Sequence, residues 1–206
     1  MLPRNKDGEL NILFAASWGK NGILETCAPE IIENLLKAGH SVKIRPHPRS
    51  LELSKKHIEK LKKRFKTHEK FSLVSGITQF DSLFEAHLLI SDWSGVAMEF
   101  AFGLERPVLF IDVPRKVNNQ HYEELGIDPI EVSYRQEVGI VLPLDEINKV
   151  PEKIEILYRE TEIFQKRIKR IRAKNIYNLD ESAIIGAKHI YDLITSTKSP
   201  HIDKPP

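Results

Sequence analysis

At 206 residues, with 41% hydrophobic and 29% charged content, the chain suits a single globular domain with ample length for a core. Its 31 lysines and arginines nearly balance 29 aspartates and glutamates, and a net charge of +2 gives no global attraction to nucleic acid or a membrane surface. The single cysteine, Cys27, excludes an internal disulfide framework and fits a reducing compartment. With no signal peptide and no apolar stretch near 18 residues, the sequence predicts a cytoplasmic protein.

In chain order, residues 1–9 read as a loose polar lead-in. Leu10–Ala16 predicts a first strand, Ser17-Trp-Gly-Lys-Asn-Gly22 a glycine-containing loop, and Leu24–Ala38 a helix stopped by Gly39. Ser41–Arg45 predicts a second strand, ended by Pro46-His47-Pro48. Leu51–His68 predicts a basic amphipathic helix, with Leu53, His57, Ile58, Leu61 and Phe65 close to one face. Its lysines read either as a solvated face or as a patch for anionic lipid headgroups or an anionic polymer. Phe71–Val74 is a third strand and Phe80–Ala86 a short helix. Leu88–Ile90 is an apolar run typical of a strand buried on both faces. Ser91-Asp92-Trp93-Ser94-Gly95 breaks that pattern, helical spacing begins at Val96 and stops at Gly103, and Val108–Ile111 follows as a strand. After a polar loop from Asp112 to Tyr122 come a last strand at Val138–Leu142 and helices at Asp145–Tyr158, Glu162–Lys174 and Glu181–Ile194. The tail 196–206 reads as disordered. Strands alternating with helices predict one α/β domain over residues 10–195, a doubly wound, Rossmann-like parallel sheet with a helical C-terminal finish.

In such a sheet the loops after the strands share one edge, where ligands bind. That edge would gather Ser17, Trp18 and Lys20 after the first strand, and Arg45, His47 and Arg49 after the second. Asp92, Ser94 and Gly95 follow the central strand, and Asp112, Arg115, Lys116 and Asn118 the next. Backbone amides, a histidine and several cations together suit a pyrophosphate. His47 is held extended between two prolines, as a phosphate contact, an acid or a plain loop histidine. Ser94 either caps the following helix, with Glu99 a solvated acid, or holds a phosphate with Glu99 on a ribose. Asp92 either orients a histidine or bonds its own loop amides. Trp18 and Trp93 either pack or line the cleft, and Cys27 reads as a buried structural thiol. No GxGxxG, Walker, GxSxG or HExxH pattern is present, so neither a cofactor nor a metal site is predicted.

Arg45-Pro-His-Pro48, Leu88-Leu-Ile-Ser-Asp-Trp-Ser-Gly95, Met98-Glu-Phe-Ala101 and Arg106-Pro-Val-Leu-Phe110 resemble, in the same order, the CDP-glycerol glycerophosphotransferase family. Those enzymes build teichoic-acid-type polymers at the cytoplasmic face of bacterial membranes. The resemblance implies a C-terminal, nucleotide-binding lobe of a two-lobed GT-B fold. The implied donor is a CDP-alcohol or a nucleotide sugar, and the implied acceptor an anionic polymer or lipid-linked molecule. An N-terminal GT-B lobe and peripheral contact with the inner membrane face are implied partners. By position, His47 would contact the donor phosphates, Ser94 with the Gly95 amide would hold the pyrophosphate, and Glu99 would take the ribose. Ser17, Lys20, Arg45 and Arg115 complete the expected binding set, and His47 and Asp92 are the catalytic candidates. The family usually has Asp-Tyr-Ser-Ser where this chain has Asp92-Trp93-Ser94-Gly95, and Thr-Trp-Arg where it has Ser17-Trp18-Gly19. Two alternatives accompany this expectation: a UDP-type glycosyltransferase or epimerase, and a non-catalytic α/β module that pairs with a separate lobe.

Overall fold

Short apolar runs bounded by polar loops form six strands: β1 (Asn11–Phe14), β2 (Ser41–Ile44), β3 (Phe71–Leu73), β4 (Leu88–Ser91), β5 (Val108–Asp112) and β6 (Gly139–Pro143). In the computed structural model, which describes residues 2–5, 8–74, 81–117, 119 and 121–196, they pair in the order β3-β2-β1-β4-β5-β6, all parallel. Phe14 stands opposite both Ile44 and Ile90, and Ser91 opposite Phe110. All four residues of β4 are buried, as are Val108–Ile111, because helices cover both faces of the central strands. The order reverses between β1 and β4. Successive crossovers leave in opposite directions there, so a crevice opens at the carboxyl ends of these two strands.

Helices fill the crossovers: α1 (Ile23–Thr26), α2 (Ala28–Lys37), α3 (Ser50–Leu53), α4 (Lys55–Phe65), α5 (Asp81–Glu85) and α6 (Val96–Leu104). The helix expected over Leu24–Ala38 is split at Cys27, whose φ of −130° interrupts it. Pro29, without an N–H to donate, sits in the first turn of α2. At its end Gly39 takes φ +87°, and the Gly39 and His40 amides close the turn on Leu36 and Leu35. The expected basic helix is likewise broken at Ser54, whose hydroxyl bonds the Glu25 carboxylate. The short helix predicted from Phe80 is seen from Asp81, Phe80 lying outside the described residues. α6 runs past the expected stop at Gly103 and ends at Glu105 in the left-handed region (φ 54°). Gln165 and Lys169 hold that carboxylate at 3.0 and 3.2 Å.

Past the expected loop, in a stretch for which the sequence predicts no element, a 3-10 turn (Tyr122–Leu125) and two single-turn helices, α7 (Ile130–Ser133) and α8 (Arg135–Val138), precede β6. These pieces are too short to carry a helical period, so no sequence pattern marks them. The predicted helix at 145–158 is a 3-10 stretch (Leu144–Lys149) followed by α9 (Val150–Arg159), with Pro151 in the first turn of α9. α10 (Thr161–Asn175) follows. The chain divides into two units, residues 1–169 and 170–206. The sheet lies in the first unit. The second contains α11 (Ser182–Thr195), which exposes Ile184, Ile190, Tyr191, Leu193 and Ile194. Residues 197–206, most of the tail expected to be disordered, lie outside the described residues. Among the described residues no helix is long and apolar enough to cross a membrane.

Candidate functional site

Four loops line the carboxyl edge of the sheet, and one buried carboxylate ties two of them together. Asp92, at the end of β4, is only 1% exposed. Its Oδ1 accepts the Ser17 amide at 2.7 Å, and its Oδ2 accepts the Ile23 amide, at the start of α1, at 3.1 Å. Ser91 Oγ adds a bond to the Ala15 carbonyl at 2.7 Å. Glycine is favoured within this arc at Gly19, whose φ is +125°. Both Asp92 oxygens are therefore engaged by amides of the loop after β1, which suits a positioning part more directly than a partner for His47.

Beside this tie is a cavity of about 300 Å³ lined by Ala15, Ala16, Arg45 to Pro48, Ser94 to Val96 and Glu99. It brings together five of the expected residues: Arg45, His47, Ser94, Gly95 and Glu99. His47 Nδ1 accepts the Arg49 amide at 3.1 Å, so the neutral ring carries its proton on Nε2. Burial, and then the charges of Lys116 and Arg49, lower the His47 pKa below the ordinary imidazole value. Gly95 is the N-cap of α6, and no side chain caps the helix. Ser94 therefore does not cap through its hydroxyl. The Ala97 and Met98 amides turn back onto the Ser94 and Gly95 carbonyls at 3.1 and 3.0 Å, which leaves the Gly95 and Val96 amides to a ligand or solvent. Glu99 lies exposed at the first turn of α6.

A second cavity of about 300 Å³ on the same edge is lined by Ser17 to Gly22, Trp93 and Val113 to Val117. It contains the other three expected residues, Ser17, Lys20 and Arg115. The two tryptophans differ in role. Trp93 is fixed: Nε1 donates to the Val113 carbonyl at 2.8 Å, and the Arg135 guanidinium lies 3.9 Å from its ring centre. Trp18 is instead covered by cations, with Lys116 Nζ 3.2 Å and the Arg49 guanidinium 4.0 Å from its ring centre. Arg115 lies over Tyr122 at 4.6 Å. Asn118 falls outside the described residues.

Arg135 is the residue that sequence reasoning missed. It is 5% exposed, stacked on Trp93, and bonded to Asp112 at 3.0 Å. Burial lowers its pKa while the Asp112 hydrogen bond opposes the shift. It stands in α8, in a segment without periodicity, so nothing local marked it. Elsewhere, a cavity of about 260 Å³ near β1, β2 and α5 includes Lys43 and Lys70. Those cations are ion-paired to Glu85 at 2.6 Å and to Glu9 at 2.7 Å, which leaves less net charge for a ligand than the carboxyl edge offers.

No protein-family model matches the chain, and no curated protein does. Among solved structures it is similar to a protein from Listeria monocytogenes assigned as a UDP-N-acetylglucosamine 2-epimerase, with a TM-score of 0.57 and 19% identity over 93% of this chain and 46% of that one. Similarity extends to the UDP-GlcNAc 2-epimerase of Methanocaldococcus jannaschii, crystallised with UDP-GlcNAc and UDP (TM-score 0.46, 17% identity, 81% of this chain and 46% of that one). The C-terminal CMP-Kdo binding domain of WaaA from Acinetobacter baumannii matches with a TM-score of 0.48 and 12% identity, over 79% of this chain and 89% of that one. The chain spans about half the length of the two epimerase chains, 46% in each case. With its all-parallel six-stranded sheet and flanking helices, it has the α/β, Rossmann-like fold of a GT-B lobe.

Proposed function

We propose that this chain is the donor-binding lobe of a GT-B-type enzyme that acts on a nucleotide-activated sugar. One observation carries the reading: at the reversal of strand order, loops from β1, β2 and β4 bring His47, the open start of α6 and Glu99 to a single cavity. The Gly95 and Val96 amides and the His47 Nε2–H suit the donor's phosphate oxygens, and the Glu99 carboxylate suits the two hydroxyls of a ribose. The fold likeness to the Listeria protein adds support for a nucleotide sugar as donor. In a transfer from such a donor, the bond between the anomeric carbon and the β-phosphate oxygen breaks. The diphosphate leaves with the electron pair, and fixed donors at the sheet edge offset its charge without reorganising. His47, neutral at pH 7, acts as a hydrogen-bond donor, and Asp92 acts by holding the loop after β1 in place.

A second reading, CDP-glycerol as donor, is favoured by the Arg45-Pro-His-Pro48 turn and the Leu88–Gly95 segment. There an acceptor hydroxyl attacks the β-phosphorus and CMP departs, with the same residues on the leaving phosphate. The acceptor side falls to a second lobe in either case. The basic outer face of α4 is the candidate for contact with an anionic surface.

Calorimetric titration of the purified chain with UDP, UDP-GlcNAc, CDP and CDP-glycerol tests both. The expected result is uridine-selective binding that weakens about tenfold in His47→Ala, since a hydrogen bond to a charged group is lost. Glu99→Ala should weaken nucleotides while sparing inorganic pyrophosphate. Cytidine selectivity would establish the second reading, and a folded chain that binds no nucleotide would indicate a non-catalytic module.

A further inference from the structure

Three loops from three strands meet on one indole. Trp18 follows β1, Arg49 follows β2 and Lys116 follows β5, yet both cations lie within 4.0 Å of the Trp18 ring centre, and the His47 ring is 6.3 Å away. Arg49 and Lys116 repel each other, and the π face of tryptophan offsets part of that cost. The carboxylates whose charge reaches Lys116 are Asp92 and Glu25. Asp92 is occupied by the Ser17 and Ile23 amides, and Glu25 accepts the Ser54 hydroxyl. Among the described residues neither Arg49 nor Lys116 forms an ion pair.

The choice of an aromatic ring here has a chemical consequence. A carboxylate in its place would also hold the two cations, but it would cancel one of their two charges and compete with an anionic ligand. An indole holds them without cancelling their charge. Resting on the reading of a nucleotide-donor lobe, we infer that Trp18 is a positioning residue that holds Arg49 and Lys116 together at the sheet edge, so that the pair binds a diphosphate. An entering diphosphate gives each cation a charge-assisted hydrogen bond and relieves the repulsion between them. Trp18 sits between the two cavities, lining one and adjoining His47 of the other, which places the pair beside the start of α6.

The test is titration of the full chain with inorganic pyrophosphate, UDP and CDP at about 50 and about 300 mM salt, a range over which charge pairing at the surface is progressively screened. It uses wild type, Trp18→Leu, Trp18→Phe, Lys116→Met and the Trp18→Leu/Lys116→Met double variant. Trp18→Leu is expected to weaken pyrophosphate binding about tenfold and to flatten its salt dependence. Trp18→Phe should stay within about threefold of wild type, because a smaller π face still holds a cation. The double variant should bind no more weakly than Trp18→Leu alone, the signature of one coupled unit. Unchanged pyrophosphate affinity and salt dependence in Trp18→Leu would overturn the inference. So would a loss that Trp18→Phe does not rescue and to which Lys116→Met adds independently, since that marks packing alone. Should Trp18→Leu lower the urea midpoint, Trp18→Phe and Lys116→Met carry the comparison. Wild type that binds UDP and CDP no more tightly than pyrophosphate would count against the nucleotide-donor reading and leave Trp18 in this role. Nucleotide affinity that is indifferent to Trp18 would count against the inference alone, and no binding by any of the three anions would sink both.

Discussion

Asp92 accepts the Ser17 amide at 2.7 Å, joining the end of β4 to the loop after β1 across the point where strand order reverses. With Ile23 on its other oxygen, the carboxylate sets how far apart the walls of the crevice stand. Asp92→Ala leaves two buried amides without an acceptor and should lower stability by about 3 kcal/mol, read from urea denaturation. NMR titration of the His47 ring separates the roles. A positioning Asp92 leaves the His47 pKa below its ordinary value in Asp92→Asn, whereas a direct partner would shift it.

At the opposite end of the sheet, His40 is buried, with Nδ1 accepting the Leu10 amide at 3.4 Å and Nε2 3.5 Å from Glu155. Burial lowers its pKa below the ordinary 6.5, and Glu155 only partly opposes this. The unfolded chain therefore takes up the proton first. Its contribution to stability is complete above about pH 6.5 and is lost as the pH falls from there through the lower, folded-state value. Urea midpoints should decline from pH 7.5 to pH 5, and the decline should be shallower in His40→Gln.

Cys27 is 6% exposed, and burial raises its thiol pKa to about 11. At pH 8 the native protein should react with iodoacetamide on the order of 100-fold more slowly than the unfolded chain, because the thiolate is both scarce and covered. Labelling followed by mass spectrometry checks this. Fast labelling under native conditions would mean that α1 and α2 open readily at their junction.

Gly139 and Gly103 should respond oppositely to alanine. A Cβ on Gly139 would meet the Val108 carbonyl oxygen at 1.8 Å, so Gly139→Ala must part β6 from β5 and should cost about 3 kcal/mol. Gly103 lies within α6 with nothing within 4 Å of the added carbon, and Gly103→Ala should stabilise by about 0.5–1 kcal/mol. Thermal melts of the two variants make the comparison.

The α/β class and the six strands, to within a few residues, are legible in the sequence, as is the placing of His47, Ser94 and Gly95 in loops at one edge of the sheet. Those features are written in local chemistry: apolar runs too short for helices, loops of small and polar residues, and prolines that fix φ. The helix break at Cys27 does carry a local mark, Pro29, which has no N–H to donate and suits the first turn of a helix. The break at Ser54 and the overrun past Gly103 were not legible, since each depends on a partner far along the chain, as Glu25 is for Ser54 and Lys169 for Glu105. The role of Asp92 was left open for the same reason: an aspartate after a strand looks alike whether it bonds its own loop or one 75 residues away. Only the tertiary structure put Trp18, Arg49 and Lys116 on one ring and slid Arg135 beneath Trp93. Periodicity reports which face of an element is buried. Which loops meet at a sheet edge is decided by strand order, and strand order is settled by packing across the whole core.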